Sequence, residues 1–315
     1  MQFIEHHSPS KSNTITVTWI SPSSNVGPVS IYASANAANG DGRNTGDHIY
    51  TAVLQLTPLD ATPKPAIKTG GVVSASAFHP GGIAPGTWLE VYGGNLSNTT
   101  RSWQSSDFQG INAPTSLDGV TVTIGGRDAY VAYVSPGHVN VQAPDGIPIG
   151  SGVPLVLANG NNRSDPYLLQ TSEVAPALLA PSSFVVNGKQ YVAAILPSTE
   201  SGQTFFAAPA GAIPGIATRP AVAGEVITLY GIGFGAVSPA VTAGTIPTQG
   251  SSLNDSLAIL FGQASGKILY AGMAPGLVGL YQFNVEVPPT APGDSILNVQ
   301  VGGSILKGTE FVTIQ

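Results

Sequence analysis

Gly86, Tyr92 and Gly93 return as Gly224, Tyr230 and Gly231, each 138 residues further along the chain. Between these anchors Val120, Val122 and Ile124 of VTVTIG return as Leu257, Ile259 and Phe261 of LAILFG at an offset of 137, so a single loop residue separates the two copies there. A second pair of segments completes the match: YVSPGHVNVQAP, residues 133–144, and the longer YAGMAPGLVGLYQFNVEVP, residues 270–288. In both, Tyr leads to a Pro-Gly turn and then to an alternating strand closed by proline. Glycine supplies the positive φ of such a turn, and the terminal proline has no N–H to donate to a ladder. Each copy ends in an alternating run, residues 153–157 or 296–301, followed by a last strand near 167–170 or 311–314. Short period-two strands between Gly/Pro turns describe an antiparallel β-sandwich, and a repeat this long is a duplicated domain. The fold class expected is therefore all-β, with two antiparallel β-sandwiches in tandem.

Composition narrows the possible roles. Charged residues make up 9% of the 315-residue chain, against about 25% in an ordinary soluble domain. The surface must then be mostly neutral and polar. The formal charge is −6 with no basic cluster, so the electrostatic attraction that drives nucleic-acid binding is missing. There is no cysteine, hence no disulfide framework and no thiolate metal site. No apolar run approaches the roughly 18 residues of a membrane helix. The start of the chain does not read as an export signal, so a trimmed or truncated secreted protein is expected.

In chain order, three strand-like runs open the sequence: residues 14–20 (TITVTWI), 29–35 (VSIYASA) and 49–58 (IYTAVLQLTP). Three strands enclose no core by themselves, and an open sheet edge invites pairing. Residues 1–58 are thus expected to be an incomplete β segment that leans on the next domain or on a second copy, as a homodimer. Residues 59–76 carry closely spaced prolines and read as an extended linker. Residues 77–172 and 223–315 are the two sandwiches. Between them, residues 173–222 have no counterpart in the first copy. They hold two β-forming runs around Asn187-Gly188, a strong hairpin signal, followed by an irregular arm rich in Ala, Gly and Pro. The junction of the sandwiches is where a binding groove would be sought.

Candidate chemistry is sparse. Asn39, Asp41, Asn44 and Asp47 crowd side-chain oxygens onto a Gly-rich loop, the donor type of a calcium site, although such residues also cap loop amides as Asx-turns. Glu5, His6 and His7 offer metal ligands at a chain start that is expected to be disordered. Trp88, with Trp103 on the following loop, offers a stacking platform for a glycan ligand, against which stands simple aromatic packing. No Gly-x-Ser-x-Gly or His-Glu-x-x-His pattern occurs. Ser135, His138 and Asp145 lie on one turn and its outgoing strand and form the one arrangement with the makings of a nucleophilic site.

The combined signatures APG…YG.NL…VSPG.VN.Q.P and GE.ITLYG.G.G…YAG.APG.VGLYQ.NV.VP resemble the C-terminal domain family of uncharacterised secreted proteins of acidobacteria. The resemblance covers residues 77–315 and implies tandem immunoglobulin-like folds at the end of larger extracellular proteins. It implies no activity. Against its pattern, His138 stands where Gln is expected, while the second copy keeps Gln282. The loop NAANGDGRNTGDH followed by Ile-Tyr-Thr resembles the closing half of a reelin-type or anchor-associated domain of bacterial surface proteins. The duplicated sandwich, the neutral polar surface, His138 and the acidic loop together leave two expected functions. One is a secreted or cell-surface module without catalysis, serving adhesion, spacing or glycan binding, with a glycan or protein partner. The other is a hydrolase of an ester or lactone, with calcium ordering the acidic loop or polarising a carbonyl.

Overall fold

The computed structural model describes residues 5, 8, 10–12, 14–22, 26–43, 45–57, 64–75, 82–197, 202–302, 304–306 and 308–315. They form two compact units, residues 1–62 and 63–315. His6, His7 and Asn44, named above as candidate ligands, lie outside the described residues.

The first unit is a hairpin of β1 (Val29–Ala37) and β2 (His48–Leu56). Their register sets Val29 against Leu56, Ile31 against Leu54, Ala33 against Ala52 and Ala35 against Tyr50, so these eight side chains share one apolar face. That face is not packed: Ile31, Leu54 and Tyr50 are all exposed. Residues 14–20, expected as a third strand, run extended and pair with no strand among the described residues.

The second unit contains both repeats. In its first sandwich, β3 (Ala66–Ser74), β4 (Trp88–Gly94), β5 (Arg101–Ser102), β9 (Tyr130–Val134) and β10 (His138–Gln142) make one sheet in the order β3-β4-β10-β9-β5. The facing sheet comprises β6 (Ser116–Leu117), β7 (Val120–Ile124), β8 (Arg127–Asp128), β11 (Gly150–Asn159), β12 (Asn162–Arg163) and β13 (Tyr167–Thr171), with β11 paired to β7, β12 and β13. Strict alternation drives Leu89 and Val91 of β4, Val139 and Val141 of β10, and Val120, Val122 and Ile124 of β7 completely into the shared core. Each such side chain contributes about 1.5–3 kcal/mol on burial.

The second sandwich follows the same plan. β14 (Ala177–Leu178), β17 (Ile195–Leu196), β18 (Phe205–Ala207), β19 (Thr218–Arg219), β20 (Val226–Ile232), β25 (Lys267–Met273) and β26 (Tyr281–Glu286) make one sheet, in which β20-β26-β25 repeats β4-β10-β9. β15 (Val185–Val186), β16 (Lys189–Tyr191), β23 (Leu257–Phe261), β24 (Ala264–Ser265), β27 (Gly293–Val301), β28 (Ser304–Leu306) and β29 (Glu310–Ile314) make the other, in which β29-β27-β23 repeats β13-β11-β7. A short ladder joins β21 (Val237–Ser238) to β22 (Ser252–Leu253).

Two expected boundaries change. Residues 66–74, read as linker, are β3, because the β-branched Ile67 and Val72 pack against the first core once the strand pairs with β4. Residues 173–222 are strands of the second sandwich more than a free arm. β14 and β17 pair with β20, and β16 runs parallel to β29. Asn187 and Gly188 take φ of 50° and 79° and turn the β15–β16 hairpin, as their sequence requires.

Candidate functional site: the sandwich junction and the β4–β10 face

On the outer face of the first sandwich, Trp88, Glu90 and Tyr92 of β4 stand opposite Gln142, Asn140 and His138 of β10. The imidazole of His138 stacks on the Tyr92 ring, and Tyr133 closes on its other neighbour side at 5.5 Å between centroids. Lys68 Nζ sits 4.7 Å from the centre of the Tyr92 ring. Tyr92 donates its hydroxyl to Glu90 at 2.5 Å, and this bond, with burial and the carboxylate charge, pushes the phenol pKa up to about 12. Burial pushes His138 below the ordinary histidine value, against the opposing pull of Glu90.

The second copy shows what this face looks like without a histidine. There Tyr230 opposes Gln282 and Thr228 opposes Asn284. Gln282 Nε2 donates to Asn284 Oδ1 at 3.0 Å and Thr228 Oγ1 donates to the same atom at 3.2 Å. In the first copy the corresponding atom, Asn140 Oδ1, is buried beside the His138 imidazole, and neither it nor His138 Nε2 makes a hydrogen bond of good geometry.

Ser135, His138 and Asp145 do not assemble as a catalytic set. Ser135 Oγ donates to the backbone carbonyl of His138 at 2.9 Å and accepts from its backbone N–H at 3.0 Å. The hydroxyl is therefore the clasp of the Pro-Gly turn and does not address the imidazole. The Asp145 carboxylate accepts the Ala243 N–H at 2.8 Å, across the junction.

The junction itself holds Trp88 and Trp103, which the structure does bring together, 5.5 Å apart and edge-to-face, with Phe108 beyond Trp103 at 4.9 Å. Trp88 donates Nε1–H to the carbonyl of Val278 at 3.0 Å, so its polar edge is bound to the second sandwich. Beside it the buried Gln142 accepts the Gly244 N–H at 2.7 Å and donates to Gly86 O at 3.0 Å. Backbone bonds continue the seam, Ala113 N to Gly244 O and Ile246 N to Ile111 O. Gly244, at φ +75°, is obligatory: a Cβ there would lie 2.1 Å from the Tyr130 ring. A Cβ on Gly279 would meet Gln142 Nε2 at 2.3 Å. The place where a groove was expected is a closed, hydrogen-bonded contact.

Sequence reasoning missed Gln142, Gly244 and Val278. The signal available was length. The second copy carries residues 277–281 between its Pro-Gly turn and Gln282, where the first passes from Gly137 straight to His138, and this added stretch delivers the Val278 carbonyl to Trp88.

In the first unit, the acidic loop binds itself. Asp47 accepts Asn39 N at 3.1 Å and Asn36 Nδ2 at 3.0 Å, Asn39 Oδ1 accepts Asp41 N at 3.1 Å, and Asp41 accepts Arg43 N at 2.8 Å. Among the described residues no three His, Cys, Asp or Glu side chains converge as a metal set. No helix among them is long and apolar enough to cross a membrane.

No protein-family model matches the chain, and no curated protein matches it. Several solved structures are distantly similar. The SGBP-B of the mixed-linkage glucan utilization locus of Bacteroides ovatus, in complex with a mixed-linkage heptasaccharide, is 12% identical, with 92% of this chain and 53% of that one covered and a TM-score of 0.33. The surface glycan-binding protein PbSGBP-B from Prevotella bryantii is 12% identical over 80% of this chain and 43% of that one, with a TM-score of 0.25. The gamma-CGTase of an alkalophilic Bacillus clarkii is 10% identical over 85% and 29%, with a TM-score of 0.24. The chain thus spans about half, or less, of the length of these proteins. Similarity this slight carries nothing over to the chain.

Proposed function

We propose that the chain is a non-catalytic, secreted or cell-surface spacer, in which two β-sandwiches are locked at one fixed angle so that whatever adjoins them is held at a set distance and orientation. The observation that carries this reading is the seam of Trp88, Gln142 and Asp145 against Val278, Gly244 and Ala243. Linked domains ordinarily move relative to each other unless their contact is specific and extensive. Here a buried side chain and three side-chain-to-backbone bonds cross between them. The polar groups first suspected of catalysis support the same reading, since Ser135 and Asp145 serve the turn and the seam. The low charge and lack of cysteine suit an exported protein, and the resemblance to acidobacterial secreted proteins belongs to this proposal.

Gly244→Ala tests it. The added methyl collides with Tyr130 at a positive-φ position, which costs about 1–3 kcal/mol from overpacking alone. Calorimetry of the whole chain should show the sandwiches melting together in the parent and separately in the variant. Two independent transitions in the parent would refute the locked spacer.

A further inference from the structure

The first sandwich fills from its own chain a place that the second leaves open. On the offset of 137 that relates β7 to β23, Asp118 becomes Asp255 and Tyr133 becomes Tyr270. The ladders agree: Tyr133 stands opposite Asn140 and Tyr270 opposite Asn284, each beside a break in register. In the first copy, residues 101–103 occupy the space between these positions. Arg101 stands opposite Val134 and Ser102 opposite Tyr133, and Trp103 N donates to Ala132 O at 2.8 Å. Arg101 Nε donates to the Asp118 carboxylate at 2.8 Å, and Thr99 Oγ1 donates to its other oxygen at 2.7 Å. The second copy takes another course. On the offset of 138, Val237 replaces Thr99 and Pro239 replaces Arg101, and β21, which Val237 opens, pairs with β22.

What remains is a depression of about 310 Å³ between β22 and β25. Its lining is amphipathic: Asp255, Ser252 and Tyr270 supply polar groups, and Leu253, Leu257 and the half-exposed Leu269 supply apolar ones. It offers side chains and no strand edge, since β22 and Ser251 lie along β25 and Ser251 Oγ accepts Met273 N at 2.9 Å. The Tyr270 ring is a fixed wall, because its hydroxyl donates to Met273 O at 2.7 Å. Asp255 differs from Asp118 in one respect: among the described residues, no hydrogen bond or ion pair reaches its carboxylate. A carboxylate beside apolar walls suits a guanidinium, whose fork makes paired charge-assisted bonds while its methylene stem covers apolar surface. The pair of Arg101 and Asp118 is that arrangement within this chain. We infer that the second sandwich binds an arginine side chain of a partner protein in this depression, with the guanidinium on Asp255 and the stem against Leu257 and Leu269. The bound segment has the pattern Arg-x-Trp, as residues 101–103 do. This docking point is independent of the locked seam.

The probe is a blocked peptide of the chain's own residues 100–104, Thr-Arg-Ser-Trp-Gln, titrated into the whole chain and followed by amide NMR. The expected result is saturable shifts confined to residues 252–257 and 267–271. The peptide Thr-Gln-Ser-Trp-Gln should bind about tenfold more weakly, because it lacks the charged bonds. Thr-Lys-Ser-Trp-Gln keeps the charge but not the fork, and should bind several-fold more weakly than the parent peptide. Asp255→Asn should weaken binding as the glutamine peptide does, with native circular dichroism, since Asp255 holds nothing in the fold. Asp165→Asn, at an exposed aspartate of the first sandwich, should bind the peptide as the parent does. No shift at peptide concentrations well past the millimolar range, shifts scattered over the surface, equal affinity for the glutamine or lysine peptide, or undiminished binding by Asp255→Asn would each overturn the inference.

Discussion

The imidazole of His138 lies flat on the phenol of Tyr92, with ring centres 4.4 Å apart and planes within 6° of parallel. This stack is a feature of the first copy alone, because the second places Gln282 opposite Tyr230. The burial of His138 should make the first sandwich pH-sensitive. Burial lowers the folded pKa of His138, while the unfolded residue titrates near the ordinary value of about 6.5. Below that value the unfolded chain binds the proton more readily, so stability is full above it and is lost as pH falls toward the folded pKa. The groups facing His138 are Tyr92 and Glu90 from β4, Lys68 from β3 beyond the Tyr92 ring, Tyr133 from β9 and Asn140 from its own strand, and Glu90 and Asn140 both pull against burial. Melting midpoints taken at about pH 7.5 and about pH 5.5, either side of the histidine value, should fall with acid. His138→Gln should flatten that fall and give Asn140 Oδ1 a donor, as Gln282 does for Asn284.

Ser135→Ala should weaken the fold and change no chemistry. The hydroxyl makes two bonds to the backbone of His138, each contributing roughly 0.5–1.5 kcal/mol. Urea titration should therefore register a loss of about 1–2 kcal/mol, and hydrolysis of an ester and lactone panel should be indistinguishable from the parent's. A loss of turnover without a loss of stability would restore the nucleophile reading.

Trp88→Phe keeps an aromatic ring on β4 but removes the donor to Val278. A carbonyl left without its partner at a half-buried site costs about 1–3 kcal/mol. The expected outcome is a lower melting midpoint with the β-sheet circular dichroism unchanged, and added glycans should not restore it.

Asp47→Ala should loosen the β1–β2 loop, since it removes the acceptor of Asn39 N and Asn36 Nδ2. Calcium and chelator are expected to leave the melting curve of the parent unchanged, because the loop oxygens already serve the loop's own donors. A calcium-dependent rise in the midpoint, abolished by Asp47→Ala, would instead establish a cation site there.

The repeat of Tyr92-Gly93 as Tyr230-Gly231 was enough to read both sandwiches, because period-two alternation reports burial directly and the offset pairs strand with strand. The Asn187-Gly188 hairpin was equally plain, since positive φ at both positions is a local demand. The seam was not legible. Gln142 looks like any strand-ending polar residue, and Gly244 like any loop glycine, until the Tyr130 ring is seen 2.1 Å from where its Cβ would be. Contacts between residues some 100 positions apart leave no local pattern. Residues 15–20 show the converse case: a strand-like pattern fixes a preference for pairing, and a partner decides whether pairing occurs.

Spin labels on Leu168→Cys and Ile296→Cys, one on each sandwich and introduced into a chain without native cysteine, measure the locked junction most directly. Electron double resonance should give one narrow distance distribution in the parent and a broad one in the Gly244→Ala background. A broad distribution in the parent would contradict a fixed spacer, because it would mean that the Trp88–Val278 and Gln142–Gly244 bonds do not hold the sandwiches together in solution.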